Sequence, residues 1–223
     1  MEVRRLETQY PIPRREVYRY LGLRKQTPDP PLQELIEECI TELYRVAVPK
    51  YLYKIFPIQI DAEHNRLDFG FMQVPSVNLT KNLRDCEKAA VMAATLGADV
   101  DRLMHRYEVT TAAKSVILQA AAAALVESVC DVCQEEIRQI ALGEGYGIRP
   151  RFSPGYGDFS ISFQKPLIDT LQTAKRMGLT LTESYMMVPS KSVTAVIGFS
   201  KNHTVCHKEG CEVCTLTDCI YRR

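Results

Sequence analysis

The longest helical pattern in the sequence lies at residues 112–142, which read AAKSVILQAAAAALVESVCDVCQEEIRQIAL. Alanine has the best helix propensity and the smallest side chain, so the run at residues 119–125 predicts a helix that another backbone can approach closely. Gly143, Gly145 and Gly147 are expected to end this helix. On either side of it the pattern changes in blocks, without a regular alternation of strands and helices. The sequence therefore predicts an α+β fold with an antiparallel or mixed sheet.

Upstream of this helix, the pattern predicts helices interrupted by a short β region. Apolar residues recur at helical spacing over residues 32–48, with glutamates between them, which indicates an amphipathic helix. Short apolar stretches broken by turn residues over 51–77 predict two or three strands. The alanine-rich residues 86–96, followed by Gly97, are interpreted as a helix, and another helix is expected to begin near Asp99.

The last third of the sequence mixes both types of element. Strands are predicted at residues 148–152, 184–188 and 192–199, where short apolar runs are separated by proline and glycine. A helix is predicted at residues 164–177, closed by Gly178.

Three regions follow from these patterns. Residues 1–30 are rich in proline and arginine, and because proline fixes φ and removes a donor, they are expected to form an extended arm with one helical turn around residues 15–20. Residues 31–202 are expected to form the folded domain. Residues 203–223 form a hydrophilic tail that carries four cysteines.

The composition excludes several broad classes of protein. The 223 residues are 46% hydrophobic and 25% charged, which is ordinary globular usage and excludes a mainly disordered chain. Lysine and arginine number 28 against 27 acidic residues, so the formal charge of +1 gives no support to a general nucleic-acid or membrane-surface binder. No apolar run is expected to span a membrane, and the N-terminus lacks the apolar segment of a secretory signal. We therefore expect a cytoplasmic protein whose eight cysteines are reduced thiols or metal ligands.

A candidate binding loop lies at residues 151–158, which read RFSPGYGD. The guanidinium of Arg151 offers a fork of donors suited to a carboxylate or a phosphate. Gly155 lets the backbone come close to a ligand, and the ring of Tyr156 could stack on a planar group. The spacing excludes a Walker loop and a dinucleotide-binding fingerprint. A proline-glycine turn with a surface arginine is the alternative interpretation.

A candidate partner for this loop is Glu127 in the long helix. Its turn is otherwise made of apolar residues, and a carboxylate that borders a close-packed apolar face is unfavourable unless it is paired or binds a cation. Glu127 is therefore predicted to meet a positively charged or hydrogen-bonding ligand held by Arg151. The alternative is a solvated glutamate on the helix surface.

Two segments together resemble the activation domain of cobalamin-dependent methionine synthase. The first is the Arg-x-x-Pro-Gly-Tyr loop at residues 151–156, and the second is Gly-Leu-Thr-Leu-Thr-Glu-Ser-Tyr-Met-Met-Val-Pro at residues 178–189. Both motifs occur in the order and spacing of that family, and the similarity is strongest over residues 83–200. The long helix with an acidic residue ahead of the loop is also similar to that of the family.

The resemblance implies a curved sheet flanked by helices, with S-adenosylmethionine bound in a shallow groove at the sheet edge. Arg151 would bind the methionyl carboxylate, and the backbone at Ser153 and Gly155 would contact the ligand. Glu127 would take polar groups of the cofactor, and Tyr156 would lie near the sulfonium. These implied roles agree with the preference of a guanidinium for a carboxylate and of a carboxylate for a cation.

The tail carries a second candidate site with the spacing C-x4-C-x2-C-x4-C. Thiolates suit zinc or an iron–sulfur cluster, and metal binding would order a segment that has little apolar area of its own. Four unrelated thiols or reversible disulfides are the alternatives, and the choice between the two metals stays open. The predicted ligands are Cys206, Cys211, Cys214 and Cys219.

The resemblance implies that the chain reductively reactivates a cobalamin-dependent methyltransferase, and methionine synthase is the methyltransferase expected. The chain would present the methyl group of S-adenosylmethionine to reduced cobalt on the cobalamin-binding module of a partner, while a low-potential donor supplies the electron. It would act as an enzyme only with that partner, and neither nucleic acid nor membrane is expected to bind. The alternative is a non-catalytic metal-binding module that docks on a corrinoid enzyme.

Overall fold

The computed structural model describes residues 2–23 and 26–201. The helices of this part are α1 (Glu2–Gln9), α2 (Arg14–Tyr20), α3 (Pro30–Val46), α4 (Val77–Asn82), α5 (Ala98–Thr110), α6 (Ala112–Gly143), α7 (Gln164–Leu171) and α8 (Thr173–Met177). The strands are β1 (Lys50–Pro57), β2 (Gln59–Asp61), β3 (Arg66–Asp68), β4 (Gln73–Pro75), β5 (Cys86–Thr95), β6 (Gly147–Ile148), β7 (Thr180–Leu181), β8 (Met187–Val188) and β9 (Ser192–Ser200). Helices and antiparallel strands together give the predicted α+β fold.

The main sheet has four strands in the order β1-β5-β9-β6, and each neighbouring pair is antiparallel. β5 lies in the centre, where it pairs with the whole of β1 on one side and with β9 on the other. β2, β3 and β4 form a second antiparallel sheet, and β7 and β8 form a two-stranded one. The short strand β6 leaves most of the outer edge of β9 to the segment that follows it.

Both faces of the main sheet are buried. Alternate residues of β5 (Ala90, Met92 and Ala94) belong to the core cluster that includes residues of α2, α3, α5 and α6. The residues between them, such as Val91, belong to the second core cluster, with residues of α4, α7 and the β2–β4 sheet. Because strand side chains alternate between faces, a strand that is covered on both sides is apolar along its length.

The prediction of a helix at residues 86–96 is wrong, because these residues form β5. Alanine favours a helix by only a fraction of a kcal/mol per residue, and tertiary pairing readily outweighs that preference. Here both edges of the strand are paired, and its small side chains suit the close packing of α6 on the sheet. Gly97, with φ of +87°, precedes α5 instead of ending a helix.

The long helix α6 confirms the prediction for residues 112–142. Its alanine run is buried, and the helix packs against α3, α5 and the main sheet. By length and composition alone α6 could cross a membrane, but 67% of its most apolar window is buried inside the protein. Such burial is typical of the core helix of a globular domain.

The N-terminal residues fold onto this core, so the extended arm predicted for residues 1–30 is wrong, although α2 confirms the helical turn expected around residues 15–20. α1 and α2 are regular helices, and Tyr10, Ile12 and Val17 are buried in the same cluster as α3 and α6. The hydroxyl of Tyr44 donates to the carbonyl of Tyr10 at 2.8 Å. Pro13 lies just before α2, where its missing N–H breaks no helical hydrogen bond.

The later elements are confirmed with shifted boundaries. The predicted helix at residues 164–177 divides into α7 and α8 at Gln172, which has φ of +55°. The predicted strand at 148–152 is reduced to β6 and an isolated bridge at Phe152, and the one at 184–188 is reduced to β8. β9 covers the strand predicted at 192–199.

Candidate functional site

The segment after β6 runs along the edge of β9 and places Arg151 there. The N–H of Arg149 donates to the carbonyl of Gly198 at 2.8 Å. Phe152 exchanges two backbone hydrogen bonds with Val196, at 3.0 and 2.8 Å. The regular ladder is interrupted between these two contacts, and Arg151 leaves the sheet edge at that point, facing α6.

The guanidinium of Arg151 joins two carboxylates of α6. Its Nη2 lies 3.1 Å from Glu127 Oε2, and its Nη1 lies 2.8 Å from Asp131 Oδ1. Residues four apart lie on one helix face, which is why both carboxylates reach the same partner. The side chain of Arg151 is only 19% exposed, against 37% for Glu127 and 70% for Asp131. We call these three residues the Arg151 triad; one positive and two negative charges leave it with a net charge of −1.

The loop at residues 153–158, hereafter the Pro-Gly loop, forms a compact turn. Gly155 and Gly157 have φ of +93° and +53°, in the region that favours glycine. The N–H of Gly155 donates to the carbonyl of Phe159 at 2.7 Å, and the N–H of Tyr156 donates to the carbonyl of Ser153 at 3.2 Å. A ligand contact at Gly155 would therefore use its carbonyl, because its N–H is already engaged.

The carboxylate of Asp158 fixes the Pro-Gly loop to the first turn of α4. It accepts hydrogen bonds from the hydroxyl of Ser76 at 2.5 Å, the N–H of Val77 at 2.6 Å and the N–H of Asn78 at 3.1 Å. The Ser76 hydroxyl accepts in turn from the N–H of Leu79 at 3.0 Å, so the two side chains satisfy the first three amides of the helix. Burial raises the pKa of Asp158, but the hydrogen bonds outweigh burial and lower that pKa below its ordinary value.

Two further contacts hold the Pro-Gly loop in place. Gly157 lies so close to α4 that a Cβ at this position would come within 2.5 Å of Nδ2 of Asn78. Phe159, at the end of the loop, is 1% exposed, and its ring centroid lies 6.3 Å from that of Phe152 and 5.6 Å from that of Phe163. The backbone of the loop is therefore preorganised by α4 and by an aromatic cluster.

The Pro-Gly loop presents an aromatic ring to solvent. Tyr156 is 67% exposed, although the backbone on both sides of it is anchored. A ring in this setting can stack on a planar group or contact a cation without reordering the loop.

The structure brings the sequence-predicted site residues into one region. Glu127 contacts Arg151 directly, and Ser153, Gly155 and Tyr156 follow on the Pro-Gly loop. Their roles in ligand binding stay predictions.

Two residues of the site were missed from the sequence. The spacing of Asp131, four residues after Glu127 on a helix, was a usable signal that both carboxylates share one face. Asp158 gave no such signal, because its partners on α4 lie 80 to 82 residues earlier in the chain.

The cysteines divide between the core and the tail. Cys130 and Cys133 are fully buried and pack as small apolar residues. Burial raises the pKa of Cys133 to about 12 and that of Cys86 to about 11. Across residues 2–23 and 26–201, no group of three or more His, Cys, Asp or Glu is placed to hold a metal ion. The four predicted tail ligands, Cys206, Cys211, Cys214 and Cys219, lie outside the described residues, and the metal site stays a prediction.

Comparison with known proteins supports a family assignment. No curated protein sequence matches this chain significantly. A crystal structure of the MetH reactivation domain bound to AdoHcy is similar in fold, with a TM-score of 0.63 at 15% identity, over 91% of this chain and 77% of that chain. The family model of the vitamin B12 dependent methionine synthase activation domain matches residues 79–208, which include more than half of the chain, the Arg151 triad and the Pro-Gly loop. The chain therefore belongs to the family of vitamin B12 dependent methionine synthase activation domains.

Proposed function

We propose that the Arg151 triad and the Pro-Gly loop bind S-adenosylmethionine, and that the chain uses this ligand to reactivate a cobalamin-dependent methyltransferase. The observation that carries the proposal is the meeting of Arg151, Glu127 and an anchored glycine loop at one sheet edge, in a member of this family. The similar domain of known structure has AdoHcy bound, which is what S-adenosylmethionine becomes when its methyl group leaves.

The side chains of the site fit both charges of an amino-acid group. The fork of Arg151 suits the methionyl carboxylate, whereas the carboxylate of Glu127 suits the ammonium group. The net charge of −1 also favours a ligand whose sulfonium gives it a net positive charge. Because Arg151 is mostly buried, its charge is screened less than that of a surface arginine.

The contribution of the protein in this proposal is orientation. The backbone of Ser153 and Gly155 would contact the ligand and Tyr156 would lie beside the sulfonium, so that these residues would orient the methyl group for transfer. S-adenosylmethionine supplies an electrophilic methyl group, and the reduced cobalamin of the partner supplies the metal that accepts it. No side chain acts as a general base, because methyl transfer from a sulfonium to a metal moves no proton.

The proposal includes two partners. One is a cobalamin-binding module, of methionine synthase or of another corrinoid methyltransferase, whose corrin would face the ligand groove. The other is a low-potential electron donor, because the reduction of cobalt(II) precedes methyl transfer.

Calorimetric titration with S-adenosylmethionine tests the binding site. Arg151→Ala should weaken binding about 10- to 100-fold, because hydrogen bonds to a charged group contribute about 1.5–3 kcal/mol. The matched control is Arg138→Ala, which removes an arginine of α6 itself whose partner is Glu135 on the same helix. Unchanged binding by Arg151→Ala, or no binding by the wild-type protein, would contradict the proposal.

A transfer assay tests the reactivation step. The chain is mixed with a cobalt(II) corrinoid module, a low-potential reductant and S-adenosylmethionine labelled in its methyl group. Label should appear on the corrinoid only when the chain is present, and it should appear more slowly with Arg151→Ala than with the wild type. Transfer at the same rate without the chain would exclude the proposed role.

A further inference from the structure

We infer that Asp131 sets the affinity of the site for the carboxylate of its ligand, because Asp131 occupies part of the Arg151 fork that this carboxylate must take. The inference rests on the proposed function, since it concerns the same site. Asp131 belongs to neither motif of the sequence and is identified by its contact alone.

Both terminal nitrogens of Arg151 already donate to side chains of α6. Nη1 donates to Asp131 at 2.8 Å and Nη2 donates to Glu127 at 3.1 Å. An incoming carboxylate therefore either replaces one of these contacts or approaches a guanidinium that faces two negative charges. In both cases the ligand competes with an internal anion for the same cation.

The solvent exposure of the two carboxylates indicates which of their contacts with Arg151 the ligand would replace. The carboxylate of Asp131 is 70% exposed and returns to water easily, whereas Glu127 is 37% exposed and borders the apolar face of α6. Asp131 also lies one turn further along the helix, so its side chain can swing away without moving the other pair. We therefore assign the competing role to Asp131 and leave Glu127 paired with Arg151 when the ligand is bound.

The variant Asp131→Asn isolates this competition, since it keeps the size of the side chain and removes its charge. The ligand pair is S-adenosylhomocysteine, which carries a carboxylate, and methylthioadenosine, which lacks the amino-acid group. Neither compound has a sulfonium, so a difference in affinity between the wild type and Asp131→Asn cannot come from attraction of the site for a sulfonium. The matched control is Glu135→Gln, one turn beyond Asp131 on α6, whose partner is Arg138.

Calorimetry should show S-adenosylhomocysteine binding to Asp131→Asn about two- to fivefold more tightly than to the wild type, the range that a mostly exposed ion pair supports. Methylthioadenosine should bind both proteins equally, and Glu135→Gln should change neither affinity. A thermal unfolding curve of each variant confirms that the compared proteins are folded.

Three results would overturn the inference. Unchanged affinity of Asp131→Asn for S-adenosylhomocysteine means that Asp131 does not compete. Weaker affinity means that Asp131 instead binds the ammonium group of the ligand. Equal tightening of methylthioadenosine means that the effect does not depend on a carboxylate. A wild-type protein that binds neither compound overturns the proposed function itself, and this outcome differs from the other three.

Discussion

The anchoring of the Pro-Gly loop by Asp158 leads to a prediction about both stability and binding. In Asp158→Ala the loop loses its side-chain hydrogen bonds to the first turn of α4, because the three donors at 2.5, 2.6 and 3.1 Å no longer share an acceptor. Ser76 keeps its bond to the N–H of Leu79, but the amides of Val77 and Asn78 must turn to water.

The size of the effect follows from the exposure of the site. Asp158 is exposed, so water replaces part of what the carboxylate provides, and the loss should resemble that of a helix N-cap, about 1–2 kcal/mol. For a domain of this length, that loss corresponds to a decrease in Tm of about 2–8 °C. Affinity for S-adenosylmethionine should fall as well, because the loop that carries Tyr156 is no longer preorganised.

Urea denaturation and a double-mutant cycle measure the coupling. Asp158→Ala and Ser76→Ala remove the same contact, so their combined effect should be smaller than the sum of the two single effects. Asp169→Ala is the matched control, since it removes an exposed aspartate that pairs with Lys165 on the surface of α7, and it should change stability by less than about 0.5 kcal/mol.

The pH dependence supplies an independent check on Asp158. Because its pKa is lower in the folded protein than its ordinary value of 3.8, its contribution is complete above that pH and is lost as the pH falls through the folded pKa. The stability difference between the wild type and Asp158→Ala should therefore be constant near neutral pH and shrink below about pH 4. Equal stability of the two proteins at pH 7, or strict additivity with Ser76→Ala, would refute the proposed anchor.

Three other predictions concern the cysteines and the core. In the native protein Cys86 and Cys133 should resist a maleimide reagent, because burial raises their pKa to about 11 and about 12. Mass spectrometry maps the modified residues, and modification as fast as in an unfolded control would contradict their placement. The tail cysteines should bind zinc or an iron–sulfur cluster, so metal analysis after anaerobic purification should find zinc or iron, and Cys214→Ser should lower the metal content. A purified chain that contains neither metal would exclude the site. Gly198→Ala should destabilise the fold by about 1–3 kcal/mol in urea titrations, since the new Cβ would lie 2.5 Å from Sγ of Cys86. Adding Cys86→Ala should relieve part of the loss, and an unchanged free energy of unfolding in Gly198→Ala would contradict that packing.

The fold could be predicted from the sequence where periodicity and composition agreed. α3, α5 and α6 combine helical spacing with good helix formers, and β9 combines β-branched residues with flanking breakers, so these elements were found. β5 was missed because its alanines suit a strand that is buried between the layers on the two faces of the sheet. Such burial is a tertiary feature, and a local sequence pattern does not show it. α1 was missed, and α2 was expected only as one turn of an extended arm, because the prolines of this region suggested an extended chain. Pro11 and Pro13 instead lie between α1 and α2.

The sequence predicted several residues of the site, but it did not predict the tertiary contacts that bring them together. A glycine loop with an arginine at a fixed distance is visible in the sequence, and the acidic residue on the helix is visible as an exception to an apolar face. Their contact depends on the sheet edge, since the irregular segment between Arg149 and Phe152 turns the Arg151 side chain toward α6. The link from Asp158 to α4 is a tertiary contact over some 80 residues, and no local pattern encodes it.

In the proposed reaction, the charges of the site favour binding of the methyl donor over binding of the product. S-adenosylmethionine carries one more positive charge than the thioether that remains after its methyl group leaves. The Arg151 triad has a net charge of −1, so it attracts the methyl donor more than the product. Methyl transfer would thus remove the charge that favours binding, and an exposed competitor such as Asp131 could then reoccupy the Arg151 fork as the product leaves. In this view the acidic face of α6 has two consequences, because it selects a cationic ligand and it limits how tightly the neutral product is held.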